Sequence, residues 1–512
     1  MEATYAPARR ACPSSQEVRL RTWRWGNAPP PPSACRAWTT SDRRGRTVTG
    51  TTTRKVVWSM KPLRRSGEER PSRPPGRRRL RTVAAISAGV VGATGLAACG
   101  GSDKPVLNWY VNPDGVDVFM KYAEECSTGD YDIEVQLLPS GATDQRTQLA
   151  RRLAAEDSST DIMNLDPVFV AEFANAGWLQ EVEGDIADEV TASVEGQGNY
   201  LSGAAETVTW EDKVYAIPLW ANTQVLWYRK SLAMAAGLDM KQPVTWDQII
   251  DAAADNDGTV GVQANKYEAY VVWINALVQG AGGEILSDTE AGRDAKVELD
   301  SDAGRKAAAI IQKLAESAAA QPDLSVSNEG TSLGQMFPAE GAGEFMTNWT
   351  FVYKNYEGLI DQPDGITKEQ FEDLGWVRYP QTVQGETSKP PVGGIDIGVG
   401  AYSEHPEWAM AAAECITSEQ AQVDLALEAG LMPSTNAAYD KVAASGDYPK
   451  DLIQLFRTSV DEGGPRPESA FYAMISGAIQ SRWHSPNSVD PDSTPEESAN
   501  YLADVLAGKA LL

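Results

Sequence analysis

From residue 106 onward, the hydrophobic positions alternate between two periods. Val106–Val111 is a short apolar run typical of a strand, and Val116–Glu125 places Val118, Phe119 and Tyr122 on one helical face. The same order then repeats, with predicted strands at 133–138 and 161–166 and predicted helices at 143–155 and 168–176. Strand, helix, strand, helix at this spacing predicts a parallel sheet with helices packed on its faces.

The pattern continues over most of the remaining chain. Further strands are predicted at 225–228, 260–263, 344–348 and 395–399. Further helices are predicted at 246–254, 269–278, 303–319, 407–416, 418–429 and 451–460. The absence of a short internal repeat argues against a solenoid or propeller. A chain of 512 residues can hold more than one domain, so we predict an α/β fold with two lobes that meet at a cleft.

The amino-terminal segment has the features of an export signal. The basic run Arg77–Arg81 precedes an apolar stretch, which ends in Leu96–Cys99, a Leu-Ala-Ala-Cys sequence. This ending resembles the lipobox of bacterial lipoproteins, so Cys99 is expected to carry lipid. We therefore expect residues 1–98 to be a signal peptide with an extension, and 99–104 to be anchor and tether. For residues 1–76 two explanations stay open: a start codon assigned too early, with Met60 as one candidate start, or a disordered cytoplasmic arm.

Charge is distributed unevenly along the chain, whose formal net charge is −26. Residues 1–98 contain 20 Lys and Arg against 5 Asp and Glu, which leaves 25 basic and 66 acidic residues for the rest. A body this acidic repels phosphate backbones, so we expect no nucleic-acid partner.

Two cysteines, Cys126 and Cys415, follow the export signal. An even pair in an exported chain is compatible with a disulfide, and two buried free thiols are the alternative.

Motifs for catalysis are mostly missing from the sequence. It contains no GxxxxGK[ST], no HExxH and no paired CxxC, and His405 and His484 are its two histidines. Gly330–Gly334 matches the G-x-S-x-G pattern, but a polar stretch precedes it where a hydrophobic strand is required. We therefore expect neither an enzyme nor a metal or cofactor. A secreted glycoside hydrolase with paired carboxylates remains the alternative.

The residue types suit the recognition of a sugar. Carboxylates and amides exchange hydrogen bonds with hydroxyl groups, and aromatic faces pack against the C–H surfaces of sugar rings. Five tryptophans stand at predicted strand ends or helix faces, with core packing as the alternative for each: Trp109, Trp220, Trp227, Trp273 and Trp349.

Seven segments, in order along the chain, resemble the extracellular sugar-binding proteins of ATP-driven importers, of the maltose-binding type. They are Asp161–Asp166, Phe173–Leu179, Lys213–Pro218, Asn222–Arg229, Pro243–Asp247, Gly341–Trp349 and Gly393–Ile395. Other segments are similar to the actinobacterial trehalose-binding subgroup of this family: Gln145–Leu153, Val262–Asn265, Glu268, Val271–Trp273 and Arg466–Tyr472. The two cysteines fall where this subgroup places its pair, so the resemblance implies a disulfide between them.

The resemblance implies a periplasmic-binding-protein-like fold that closes on its ligand by hinge motion. We expect lobe 1 to comprise 105–221 plus 376–417, and lobe 2 to comprise 222–375 plus 418–512. The implied protein is a monomer that binds a disaccharide, trehalose or a related α-glucoside, at the extracellular face of the membrane. It delivers the sugar to the transmembrane subunits of an ABC permease. Two other binding roles stay open. The protein could be a lipoprotein that senses or buffers sugar without a permease, or a relative that binds peptides or amino acids.

The resemblance also implies which residues face the cleft. Asp166 is expected to accept hydrogen bonds from sugar hydroxyls, and Asn222 to bridge the lobes at their first crossover. Gln145 is expected to offer its amide from a helix start. Glu268 and Trp273 are expected to come from the second lobe, the first as a polar contact and the second by stacking.

Three more contacts follow by motif position. Trp349 is expected to stack, Gly394 to let the backbone approach the ligand, and Arg466 to donate a forked pair of hydrogen bonds. Asp396 stands where the trehalose subgroup has Asn, which puts the specific sugar in question. The remaining candidate contacts are Asn112, Asp114, Asp396 and Tyr472.

Overall fold

The structure, a computed structural model, describes residues 104–512. The predicted signal peptide, the lipid attachment at Cys99 and the tether up to residue 103 therefore lie outside the described residues. The strands are β1 (Val106–Val111), β2 (Asp132–Leu137), β3 (Ile162–Leu165), β4 (Thr209–Trp210), β5 (Lys213–Val214), β6 (Ile217–Arg229), β7 (Thr259–Gly261), β8 (Leu286–Ser287), β9 (Lys296–Val297), β10 (Glu344–Trp349), β11 (Leu374–Val377) and β12 (Val392–Val399).

The helices lie between these strands and after them. The first group is α1 (Val116–Glu125), α2 (Ala142–Leu153), α3 (Val170–Asn175), α4 (Asp185–Val194), α5 (Ser202–Ala205), α6 (Lys230–Ala235), α7 (Trp246–Asp255), α8 (Glu268–Gly280) and α9 (Asp302–Glu316). The second group is α10 (Glu329–Leu333), α11 (Val352–Leu359), α12 (Lys368–Glu372), α13 (Pro406–Ile416), α14 (Glu419–Ala429), α15 (Asn436–Ser445), α16 (Lys450–Asp461), α17 (Tyr472–Trp483) and α18 (Thr494–Leu506).

The periodicity predicted 16 of the 30 elements named above and missed the others, among them the helices α4, α15, α17 and α18. Every predicted strand and helix is present within a few residues of its expected bounds, and α1 has the bounds predicted. Two details differ. The predicted helix at 168–176 begins as a 3-10 turn, Pro167–Phe169, before α3. The Asp166 side chain accepts a hydrogen bond from the backbone N–H of Val168 and so caps this turn, and Pro167 occupies its first position. The prediction for β6 covered only its last third.

The main sheet is mixed, which corrects the expectation of a parallel sheet. Its strands lie in the order β2, β1, β3, β12, β6, β10, β7, with β11 also paired to β6. The pairs β1–β2, β1–β3 and β7–β10 are parallel. Strand β12 runs antiparallel to β3 and β6, and β10 and β11 run antiparallel to β6. Strand β12, which comes last among the strands in the chain, lies in the middle of the sheet between β3 and β6. The hydrophobic pattern within a strand does not reveal such a position.

Strand β6 connects the two halves of this sheet. Its first residues, through Thr223, pair with β12, whereas Gln224 and the residues after it pair with β10 and β11. Its buried side chains therefore belong to different hydrophobic cores. Trp220 packs in the core around β1–β3, and Leu226 packs in the core beneath α7 and α8. The chain thus has the predicted two-lobed α/β fold, and the residue boundaries of the lobes stay a prediction.

A disulfide joins Cys126 to Cys415, with 5.8 Å between their Cα atoms. Cys126 ends α1 and Cys415 lies in the last turn of α13, and both helices pack on the core around β1–β3. This confirms the predicted pairing.

Within residues 104–512, no helix combines the length and the apolar character needed to cross a membrane.

Candidate ligand-binding cleft

Arg466 links the two halves of the molecule through its guanidinium group. Nη2 donates to Asp166 Oδ1 at 3.0 Å, and Nη1 donates to Glu268 Oε1 at 2.8 Å. Asp166 follows β3, whereas Glu268 is the first residue of α8. Burial disfavours the charge of Arg466, but the carboxylates outweigh burial and raise the pKa of its guanidinium. Arg466 is 7% exposed, so this ion-paired group lies almost entirely away from water.

Glu268 is occupied by protein donors. Besides Arg466, Tyr472 Oη donates to Glu268 Oε1, and Ser476 Oγ donates to Glu268 Oε2 at 2.6 Å. Gln480 Nε2 in turn donates to Ser476 Oγ at 2.8 Å. With both oxygens engaged and 6% of its surface exposed, Glu268 holds Arg466 in this conformation. The predicted contact between Glu268 and the ligand stays a prediction.

Asp396 lies beside this group on β12. It is 1% exposed, and Thr207 Oγ1 donates to its Oδ2 at 3.4 Å. Burial, and then the nearby charge of Asp166, raise the pKa of Asp396 well above its ordinary value. A raised pKa favours the protonated carboxyl, a form that can donate a hydrogen bond as well as accept one, as the amide of an Asn can.

Trp349 ends β10 and is half-buried. Its side chain lies near Glu329, and the far edge of its indole lies against Gly393 of β12. A Cβ on Gly393 would lie 3.0 Å from Trp349 Cη2 and 3.9 Å from Arg466 Nη2. Because Asn222 on β6 pairs with Gly393, the indole lies where the connecting strands pass between the lobes.

A second polar group involves Asn112, Asp114, Glu329 and Tyr267. Asn112 Nδ2 donates to Asp114 Oδ2 at 3.3 Å, and Tyr267 Oη donates to Glu329 Oε2 at 2.7 Å. Burial raises the pKa of Asp114. Burial, together with the charge of Asp114, raises the pKa of Glu329. Asp114 follows β1, whereas Glu329 begins α10, so two carboxyl groups from distant parts of the chain lie near each other.

Two other predicted contacts have partners within the protein. Asn222 Oδ1 accepts a hydrogen bond from Thr350 Oγ1 at 3.1 Å. Gln145 lies in the first turn of α2 as expected, but its Nε2 donates to the carbonyl of Pro139 at 2.8 Å. Their predicted contacts with a ligand remain predictions.

Trp273 and Gly394 also have close neighbours within the protein. Trp273 lies on α8, which is buried over nearly its whole surface, and it is 2% exposed between Trp246 and Tyr270. Its predicted stacking on a ligand, like the predicted approach of the ligand to Gly394, stays a prediction. Gly394 has φ of 154°, and a Cβ there would lie 2.1 Å from the carbonyl oxygen of Trp220. The backbone that approaches Gly394 so closely is therefore that of β6.

Sequence reasoning missed Gly393, Glu329 and two amides on α8, Asn275 and Gln279. Gly393 lies in the segment Gly393–Ile395, for which the resemblance implied a ligand approach at Gly394 instead. The two amides could have been identified from the sequence, because the spacing of Glu268, Asn275 and Gln279 places them on one face of an otherwise apolar helix. For Glu329 we find no signal in the sequence.

The G-x-S-x-G pattern does not form a nucleophile elbow. Ser332 of the G-x-S-x-G pattern is fully buried in the short helix α10, and its Oγ donates to the carbonyls of Asn328 and Glu329. In the part of the chain that the structure describes, no group of three or more His, Cys, Asp or Glu side chains could hold a metal ion.

A two-lobed α/β fold with polar side chains from both sides gathered at the connecting strands is the architecture of a solute-binding protein. The family described as bacterial extracellular solute-binding protein matches residues 112–423, more than half of the chain. The chain belongs to this family, which comprises binding proteins rather than enzymes, in agreement with the prediction.

An uncharacterized ABC transporter extracellular-binding protein of Pyrococcus horikoshii is 26% identical over 150 residues. This match covers 29% of the chain and about a third of the length (33%) of that relative. Among solved structures, maltose-bound MalE3 of T. maritima is 22% identical with a TM-score of 0.64, covering 79% of this chain and 100% of that one. The GacH receptor of Streptomyces glaucescens, solved unliganded and with acarbose, is 20% identical with a TM-score of 0.62, covering 78% and 97%. At these identities the structures establish the fold.

Proposed function

We propose that the protein is the extracellular substrate-binding component of an ABC sugar importer. It captures a disaccharide, trehalose or a related α-glucoside, between its lobes, and it delivers the sugar to the transmembrane permease subunits. Binding involves no chemistry, because ligand and permease act by favouring the closed state over the open state.

One observation carries this proposal: the buried guanidinium of Arg466, which joins Asp166 after β3 to Glu268 on α8. Carboxylates and a guanidinium from both halves are suited to hydrogen-bond sugar hydroxyls, and the half-buried indole of Trp349 lies beside them. The sugar is also in keeping with the structural neighbours, one bound to maltose and one to acarbose.

The proposal extends to the site and to the anchor. Asp166, Asn222, Trp349, Asp396 and Arg466 form the centre of the site, because the structure gathers them at the connecting strands. The other predicted contacts surround this centre. Lipid attachment at Cys99, outside the described residues, keeps the protein at the extracellular face of the membrane as a monomer. The proposed lobes are 105–221 with 376–417, and 222–375 with 418–512.

The experiment is thermal unfolding of the purified protein with trehalose, maltose, sucrose, cellobiose, glucose and a few peptides. A sugar present at 100 times its Kd should stabilise the fold by about 2.7 kcal/mol, which raises Tm clearly. Stabilisation by trehalose or another α-linked disaccharide, without release of reducing sugar overnight, supports the proposal. Stabilisation by peptides alone, or hydrolysis of a sugar, contradicts it.

A further inference from the structure

Helix α8 carries a polar stripe of which the proposed function uses only Glu268. Glu268, Asn275 and Gln279 recur on one face of a helix whose other positions are almost all apolar and buried. Asn275 is 1% exposed, and its Oδ1 has no hydrogen-bond partner. An apolar residue of similar size would avoid the cost of that unpaired oxygen, so packing alone does not account for Asn275.

The stripe holds the backbone that leads into Arg466. Asn275 Nδ2 donates to the carbonyl of Pro465 at 3.1 Å and to that of Gly464 at 3.4 Å. Gln279 Nε2 donates to the same Pro465 carbonyl at 2.8 Å. A Cβ on Gly464 would lie 1.7 Å from Gln279 Oε1, so the absence of a side chain there allows the close approach.

Arg466 is therefore fixed to one helix at two levels. Its guanidinium is held by Glu268 at the start of α8, and its preceding carbonyls are held by Asn275 and Gln279 further along. The second nitrogen of the guanidinium, Nη2, then points to Asp166 across the connecting strands. A long, flexible side chain reaches a partner reliably only when its backbone is also fixed.

We infer that Asn275 and Gln279 are positioning residues that place the guanidinium of Arg466 between Glu268 and Asp166. Their effect on sugar affinity rests on the proposed function, whereas their effect on the geometry of Arg466 does not.

The test measures hydrogen exchange of the Arg466 guanidinium protons by NMR in the sugar-free protein, with the signals assigned by Arg466→Lys. Asn275→Leu and Gln279→Leu should each accelerate this exchange about tenfold, because the guanidinium leaves its carboxylates more often. They should also weaken trehalose binding about tenfold. Asn275→Leu removes an unpaired buried oxygen, so a purely structural role predicts unchanged binding.

Two controls make the comparison specific. Gln279→Lys keeps a donor for the Pro465 carbonyl and should retain slow exchange. Tyr448→Phe removes another buried donor to a backbone carbonyl, that of Ala426, and should leave Arg466 unaffected. Unchanged exchange in both leucine variants overturns the inference. Accelerated exchange in a protein that no sugar stabilises supports the positioning role and refutes the proposed function.

Discussion

Gly393 offers a direct test of how Trp349 is held. In Gly393→Ala the new methyl group would lie 3.0 Å from Cη2 and 3.1 Å from Cζ3 of Trp349, a few tenths of an ångström inside ordinary contact. The indole also lies beside Glu329, which limits how far it can move away from Gly393. We therefore expect the ring to tilt into the cleft, where a bound sugar would compete for the same space.

The size of the effect follows from the small overlap. Overpacking a well-packed site costs about 1–3 kcal/mol. Because the overlap here is only a few tenths of an ångström, we expect a cost in the lower part of that range, about 1–2 kcal/mol. Trp349 is half-buried, so in the sugar-free protein its indole can shift toward solvent, whereas a sugar stacked on the ring would, under the proposed function, occupy that side. The cost thus falls mainly on the bound state and should raise Kd about 5- to 30-fold, measured by calorimetric titration with a sugar that stabilises the protein.

Gly398→Ala on the same strand is the matched control. Its methyl group would lie 2.9 Å from Leu165 Cδ1 and 3.0 Å from Leu179 Cδ2, within a core away from the indole. This variant should lower Tm but keep Kd within about twofold of the parent, since leucine ends can turn. If Gly393→Ala also kept Kd within twofold, the argument that Gly393 positions Trp349 would be wrong.

Three other substitutions test separate parts of the structure. Asp166→Ala should weaken sugar binding at least about tenfold while the fold persists, because it removes a charged partner of Arg466. A change in Kd below about threefold, ~0.7 kcal/mol, would contradict the placement of Asp166 at the centre of the binding site. Replacing Cys126 and Cys415 by Ser opens a loop spanning 289 positions and should lower the free energy of unfolding by about 3–5 kcal/mol in urea titrations; equal midpoints for parent and variant would exclude this stabilisation. Burial raises the pKa of Glu344 well above its ordinary 4.5, so the native state retains a proton that the unfolded state releases. The free energy of unfolding should therefore fall as the pH rises above about 4.5, the ordinary pKa of Glu, toward the raised pKa of Glu344, and Glu344→Gln should reduce that fall. Equal pH dependence in both proteins refutes this assignment.

The local elements were predictable because their signals are local. The apolar face of α1 and the short run of β1 each lie within a dozen residues, and both were confirmed. Sheet order was not predictable in the same way. Strand β12 inserts between β3 and β6 through backbone hydrogen bonds, and no side-chain pattern in β12 specifies its neighbours or its antiparallel direction.

The candidate site shows the same division more sharply. Trp273 and Trp349 were both expected to stack on a ligand, yet Trp273 is packed inside a buried helix and Trp349 lies half-buried at the connecting strands. The polar stripe of α8 is itself packed against protein, so it does not indicate which neighbours Trp273 has. Residue type alone therefore does not state how each ring is packed.

The roles of the charged residues depend on their pairing, which a sequence does not state. Asp166 and Arg466 are 300 positions apart, and each was a reasonable ligand contact by itself. Once Arg466 is placed, Glu268 has both oxygens engaged by protein donors, and its first effect is to hold the guanidinium. Under the proposed function, sugar hydroxyls meet Arg466 and Asp166 as a preformed ion pair, while the bond between Arg466 and Glu268 keeps the guanidinium oriented. Affinity then depends on the geometry of this pair, which makes the orientation of Arg466 as important as its charge.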